Sequence, residues 1–440
     1  MRERSCVLAC TVGGSGAPIR SSIRAARPAF VLFLCSEEGG PDGRGSRPEA
    51  EAIAAELALA PDAFAIETLP ADDPDSAGVR CKELIAGLRR RFPGARIVCD
   101  YTGGTKSMSA ALMLAGIAEP KARVELRLMR GERRSLDRVR DGTERPQRID
   151  VSALLADRLL ERADLAWRSF GYAEAEQLLA EPAQDLADAE AVPERLRLRL
   201  MAAYRLSGLF AAWDRFDHAA ALEMLAALPP GARRALAAYE PALRQLADQA
   251  RRAPLVLLDL WHNAERRAAR GQYDDAVARC YRAVEWTAQW VLETDAGILT
   301  KDVDLAKLPA GIRDRYADQR RKGQRIEIGL TRAWDLVSDL SRHCPGLALV
   351  ASAATLMRKK FEGSSVRDRL DGSQQRGWIA ARNFSILAHG FTPIGADGWE
   401  RIGGWMEQHW LPWIEAQVTA RGGRLEQLPA DLDLVDAAAV

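Results

Sequence analysis

The 440-residue sequence predicts an α/β Rossmann-like N-terminal domain followed by an all-α C-terminal half, a helical-hairpin region leading into a helical domain. Three observations point there. Short apolar runs alternate with helical stretches up to about residue 150. Beyond that point strand signals nearly vanish. All 11 tryptophans, from Trp167 to Trp413, lie in the later portion.

Strands are expected at residues 5–11, 29–36, 63–69, 95–101 and 124–129, each rich in Val, Ile, Leu or Phe. Helical stretches fall between them near 17–26, 46–59, 76–91 and 106–118. Alternation of this kind implies parallel strands covered by helices on both faces. In the helical half a weak repeat pairs Tyr172 with Ala175, Phe216 with Ala219, and Tyr273 with Ala276. Each aromatic is read as opening a helix, with the alanine allowing close packing. The spacing is irregular, so helical hairpins are expected rather than a regular solenoid. A boundary is placed near Pro254, giving domains at 1–150, 151–253 and 254–440.

The most informative segment is Ile97-Val-Cys-Asp-Tyr-Thr-Gly-Gly-Thr-Lys-Ser-Met108. A buried strand enters an apolar helix through a Gly-Gly turn. That geometry aims backbone N–H groups, the helix dipole and one ammonium at a single point, which suits a phosphate. Thr105 stands before Lys106 where a P-loop needs glycine, so nucleotide hydrolysis of that type is excluded. After the first strand, Gly13-Gly14-Ser15-Gly16 lacks the third glycine of a dinucleotide fingerprint. Glu37 and Glu38 nonetheless stand where a ribose-binding acid is expected, which keeps a nicotinamide cofactor open. Both loops follow strands and so fall on the same sheet edge.

Composition narrows the choice. A net charge of +1 offers no global attraction for nucleic acid, so any such contact needs a local patch. The seven cysteines, Cys6, Cys10, Cys35, Cys81, Cys99, Cys280 and Cys344, include no Cys-x-x-Cys pair. They read as reduced core residues of a cytoplasmic protein rather than disulfides or zinc ligands. Val7-Leu8-Ala9-Cys10 mimics a lipoprotein box, but the apolar stretch before it is too short for a signal segment. No run approaches a membrane span.

A second constellation is Arg382-Asn383-Phe-Ser-Ile-Leu-Ala-His389-Gly390. On a helix, positions seven apart lie about 20° from eclipsed and roughly 10 Å apart along the axis. Arg382 and His389 would therefore share a face, with the apolar positions Ile379, Ile386 and Leu387 at helical spacing and Gly390 as the stop. A guanidinium to hold a phosphate and an imidazole to move a proton are the parts needed to cleave RNA without metal. The other histidines, His218, His262, His343 and His409, have no Arg at that spacing. A salt-bridged Arg and a helix-capping His are the alternative.

Asp100-Tyr-Thr-Gly-Gly-Thr-Lys106 resembles the ligand-loop motif of CARF domains, and Arg382-Asn383-x5-His389 resembles the active-site motif of HEPN ribonucleases. Together they resemble the accessory ribonucleases of type III CRISPR systems, in the subgroup with a helical insertion between the two domains. Gly-Gly-Ser-Gly-Ala-Pro-Ile19 and Tyr281-Arg-Ala-Val-Glu285-Trp286 are similar to that subgroup too. The resemblance implies a homodimer that binds cyclic oligoadenylate, as an allosteric activator and with no cofactor, across a two-fold axis. Gly13, Gly14, Ser15 and Gly16 would line one side of the pocket; Thr102, Gly103, Gly104, Thr105, Lys106 and Ser107 would line the other. It also implies metal-independent cleavage of single-stranded RNA to 2′,3′-cyclic phosphate and 5′-hydroxyl ends. Arg382, Asn383 and His389 would be catalytic, in a cleft made by two copies. Some relatives cut their own ligand, and Thr105 and Ser107 would position the 2′-hydroxyl for that.

Glu285 is read either as bracing Arg382 or as an ordinary salt-bridge partner. Arg313, Arg315, Arg320, Arg321, Lys322, Arg325, Arg358, Lys359 and Lys360 are read as solvated charge or as a track for an RNA backbone. The competing function is a non-catalytic sensor of cyclic nucleotide acting through a partner. A dehydrogenase is disfavoured because no histidine precedes His218.

Overall fold

The computed structural model describes residues 5–37, 43, 45–118, 124–131, 143–187, 192–317, 326–358, 360–361, 364–365, 385–387, 390–425, 434 and 438. The chain divides into two compact units, Met1–Leu155 and Ala156–Val440.

In the first unit six strands form one sheet: β1 Cys6–Thr11, β2 Phe30–Ser36, β3 Phe64–Leu69, β4 Arg96–Asp100, β5 Val124–Arg130 and β6 Arg145–Ile149. Their order is β3-β2-β1-β4-β5-β6. The first five pair in parallel. Each of β1, β2 and β4 is buried along all or nearly all its length, as doubly covered parallel strands must be. Val7, Ala9, Leu32, Leu34, Ile97 and Cys99 face α3 (Pro74–Arg91) and α4 (Lys106–Ala118). The alternate residues Leu8, Cys10, Val31, Phe33 and Val98 face α1 (Ala17–Ala26) and α2 (Arg47–Glu56). The five expected strands and four expected helices are all present.

The sixth strand was not expected. β6 runs antiparallel to β5 and reads Arg-Pro-Gln-Arg-Ile, mostly exposed. A polar edge strand is held by backbone hydrogen bonds and carries no apolar signature; Pro146 is tolerated there because an edge leaves N–H groups unpaired.

Helices α5 to α15 follow: Ser152–Arg168, Tyr172–Ala187, Glu194–Asp214, His218–Ala226, Pro230–Ala235, Glu240–Ala247, Leu255–Ala269, Tyr273–Ala296, Ala310–Ala317, Leu330–His343 and Ala348–Arg358. Ala396–Trp405 then continues through a π turn, Met406–Trp410, into Leu411–Ala420. One hydrophobic core joins the helices of the second unit, with Trp167, Trp261, Trp334, Trp405 and Trp410 fully inside.

The aromatic repeat is real in two of its three places. Tyr172 and Tyr273 open α6 and α12, with Ala175 and Ala276 buried. Phe216 does not open a helix: it adopts φ +66° ahead of α8, and Ala221 rather than Ala219 is buried. The true register pairs Phe170 (φ +58°), Phe216 and Gly271 (φ +72°) as left-handed stops. Each is followed by an amide donating back five residues: Gly171 to Ala166 (2.7 Å), Asp217 to Ala212 (2.9 Å) and Gln272 to Arg267 (2.9 Å). These are Schellman closures of successive hairpins.

Two buried carboxylates organise the hairpin contacts. Asp214 accepts from Asn263 Nδ2 (2.7 Å), Arg266 Nε (2.9 Å) and Arg267. Asp259 accepts from Trp213 Nε1 (3.2 Å) and lies 2.8 Å from His218 Nε2. All seven cysteines are free thiols, six of them buried. Burial pushes the Cys35 thiol up to about 11 and that of Cys81 to about 12, so both stay protonated as small apolar side chains. Among the described residues no helix is long and apolar enough to cross a membrane.

Candidate functional site

β1 and β4 are neighbours, yet β1 leads into α1 on one face of the sheet and β4 into α4 on the other. The strand order reverses between them, the kind of point at which open α/β sheets place a ligand crevice beyond the carboxyl ends of their strands. The Gly13–Gly16 and Thr102–Ser107 loops both leave the sheet at this point.

The loops meet backbone to backbone. A Cβ at Gly103 would stand 2.4 Å from the Thr11 carbonyl oxygen, and one at Gly13 would stand 2.8 Å from the Gly104 amide nitrogen. Gly104 has φ +79°, the left-handed region open to glycine. Thr11 Oγ1 donates to the Gly103 carbonyl at 2.6 Å, and Ser109 Oγ donates to the same oxygen at 2.7 Å. Glycine at 13, 103 and 104 is therefore dictated by close approach and by turn geometry.

Beneath the turn lies Asp100, 2% exposed. One of its oxygens accepts from Ser22 Oγ of α1 and the other from the amide (3.0 Å) and hydroxyl of Thr102. Thr102 Oγ1 in turn accepts from the Met129 amide at 2.8 Å. Burial raises the Asp100 carboxyl above its ordinary value, and the Ser22 and Thr102 hydrogen bonds oppose that rise. Thr105 caps α4: its hydroxyl accepts from the Met108 amide (3.2 Å) and donates to the Ala71 carbonyl.

The ten expected ligand residues thus divide by task. Gly13, Gly103 and Gly104 form the loop contact, and Gly16 is the buried cap residue of α1. The Thr102 and Thr105 hydroxyls are engaged within the loop. Gly14, Ser15 and Lys106 are exposed and Ser107 is half-buried. The first N–H groups of α4 have no intrahelical acceptor. Its first turn holds no acid, and Lys106 opens it. The start of α1 is already faced by Glu49, whose Oε1 would lie 2.1 Å from a Cβ at Gly16. The α4 end is the better place for an anion.

Thr11, Ser22 and Asp100 were not among the expected site residues. A carboxylate closing an apolar strand, as in Ile97-Val98-Cys99-Asp100, was the available signal for the last. Among the described residues no cluster of His, Cys, Asp or Glu is arranged to hold a metal.

The second constellation falls largely outside the described residues: Arg382, Asn383 and His389 all lie there. Of its neighbours, Ser385–Leu387 form a turn, with Ser385 buried and the Gly390 amide donating to the Ser385 carbonyl at 3.2 Å. Ile386 and Leu387, expected on an apolar helix face, are 66% and 47% exposed, and Phe391 is 91% exposed. Glu285 pairs with Arg282. Arg315 pairs with Asp339, and Arg313 Nη2 donates to the Leu308 carbonyl at 3.1 Å. Arg320, Arg321, Lys322, Arg325 and Lys359 lie outside the described residues.

Residues 247–409 match a family model described as the Csm6 HEPN domain. No curated protein matches the chain. Among solved structures, Enterococcus italicus Csm6 bound to cyclic hexa-2′-fluoro-hexa-dAMP is similar at a TM-score of 0.55 and 13% identity. That alignment covers 95% of this chain and 94% of the other. Can2 from Sulfobacillus thermosulfidooxidans, in complex with cyclic tetra-adenylate, aligns over 46% of this chain and 52% of its own at 14% identity. Its TM-score of 0.22 carries no weight.

Proposed function

We propose that this CARF–HEPN protein of the type III CRISPR kind, with the fold of a Csm6 and a Csm6 HEPN match over residues 247–409, is a ribonuclease switched on by cyclic oligoadenylate. The observation that carries the reading is the meeting of two glycine-rich loops at the β1/β4 reversal, with Lys106 at the start of α4.

In this reading residues 1–150 sense the ring, 151–253 connect, and 254–440 cleave RNA. Lys106 and the first amides of α4 hold phosphate oxygens. Gly14, Ser15 and Ser107 face ribose or base, while Thr102, Gly103, Gly104 and Thr105 hold the loop in shape. The ring bridges the sensors of a homodimer. The exposed Ile386, Leu387 and Phe391, beside the Arg382–His389 motif, suit a face covered by a second copy.

Arg382 stabilises the charge that builds on the scissile phosphate, and His389 moves the proton of the attacking 2′-hydroxyl or of the leaving oxygen. Asn383 orients its neighbours. A 2′-hydroxyl attack expels the 5′-oxygen and leaves a 2′,3′-cyclic phosphate, with no metal required. The motif lies within the residues matched by the HEPN model, which supports the assignment. The protein acts in the cytoplasm, where foreign RNA would trigger synthesis of the activator.

The test is cleavage of a fluorescent single-stranded RNA in EDTA, with and without cyclic tetra- or hexa-adenylate. One ring should switch cleavage on, and Arg382→Ala or His389→Ala should abolish it without weakening ring binding. Ring binding with no cleavage would leave a sensor acting through a partner and overturn the nuclease reading.

A further inference from the structure

A cavity of about 450 Å³ in the second unit lies against α12, away from the Arg382–His389 motif in sequence. Its size falls in the ordinary range for small-ligand pockets. Trp286 and Trp290 stand one turn apart on α12 and supply two indole walls, with Arg282 a turn before them. The Arg282 guanidinium stacks 4.6 Å from the centre of the Trp286 ring and is paired with Glu285. Trp290 is fixed by an edge contact with Trp413 at 6.2 Å and by Arg421 at 4.8 Å. Both rings are therefore held in place before any ligand arrives.

The remaining charges decide what the cavity takes. Arg252, Arg282 and Lys301 line it against one carboxylate, Glu293. Other buried or half-buried arginines of this unit are ion-paired: Arg266 and Arg267 with Asp214, Arg279 with Asp275. No ion pair among the described residues engages Arg252 or Lys301. Two unpaired cations beside two fixed indoles suit a ligand that is planar and aromatic at one end and anionic at the other.

We propose that this cavity binds one nucleotide of a single-stranded RNA, its base on the Trp286–Trp290 wall and its phosphate on Arg252 and Lys301. The inference rests on the ribonuclease reading and adds a substrate-holding site to it. Base–aromatic stacking tolerates any base, so the pocket grips the strand without reading its sequence.

The test uses the full chain and a non-cleavable 2′-O-methyl RNA carrying 2-aminopurine. Stacking should quench the probe on binding to the unaltered protein. Trp286→Ala should remove the quench and weaken binding about tenfold. Trp286→Tyr should keep both, which separates lost stacking from lost folding. Lys301→Glu, at an exposed position, should weaken RNA binding while leaving cyclic oligoadenylate binding and the melting temperature unchanged. Equal RNA affinity in folded Trp286→Ala and Lys301→Glu variants would sink the proposal. Adenosine monophosphate that binds the pocket while RNA affinity ignores both substitutions would assign it to a free nucleotide and overturn the RNA occupant. RNA binding lost in these variants, with no cleavage under any activator, would uphold the pocket and reject the nuclease reading instead.

Discussion

At Asp100 a single carboxylate accepts from Ser22 on α1 and from both the amide and the hydroxyl of Thr102 in the turn after β4. Replacement by alanine leaves these buried donors without an acceptor. The expected loss is on the order of 3 kcal/mol in urea unfolding. Asparagine keeps one acceptor oxygen and should cost about 1 kcal/mol. The two variants also separate in pH. The folded carboxyl holds its proton to higher pH than the unfolded one, so the native state binds more protons between the two values. Stability from this group is then full below its ordinary range and is lost as pH rises through the raised value. The wild type should therefore lose stability relative to Asp100→Asn as pH climbs above the usual carboxylate range. A gap between them that widens in the wild type's favour would contradict this. The sequence showed an acid at the end of a strand, but its partner Ser22 lies 78 residues away, and such pairing has no local signature.

The turn after β4 is the element to which the proposed ligand capture is assigned, and the glycines of the two loops that meet there are not equivalent. A methyl at Gly103 meets the Thr11 carbonyl, a backbone atom that cannot swing aside. Gly103→Ala should cost about 3 kcal/mol and abolish activator binding. Gly14→Ala meets nothing within 4 Å at an exposed position and should leave stability within about 0.5 kcal/mol. Calorimetric titration with the activator, beside a melting curve for each variant, checks both; equal effects would show that the loops do not pack as described. The Gly-Gly turn was legible because glycine marks close backbone approach. The central parallel strands β1, β2 and β4 were legible because burial on both faces forces continuous apolar runs. β6 was hidden because an edge strand can be polar, and the Phe216 register was misread because an aromatic at positive φ imitates a helix start.

Over the whole molecule, 62 basic and 61 acidic side chains nearly cancel, which sets the scale of any nucleic-acid contact. A chain with one net positive charge exerts little long-range pull, so the proposed RNA substrate would have to be held by a few placed cations. Much of the arginine is already committed to local ion pairs, as at Asp214, Glu240 and Asp339. In the proposed reading Arg252, Lys301 and Arg382 are the cations that meet RNA phosphates, about three in all. Counterion release from single strands gives a slope of about −0.7 per phosphate neutralised, hence about −2 for log affinity against log salt. Extended basic tracks that engage six or more phosphates would give −4 or steeper. Fluorescence anisotropy of a non-cleavable RNA between 50 and 300 mM salt distinguishes the two. A shallow slope that falls by about 0.7 in Lys301→Glu would tie RNA retention to the α12 cavity. A steep slope unmoved by that substitution would transfer it to the basic residues around 313–325.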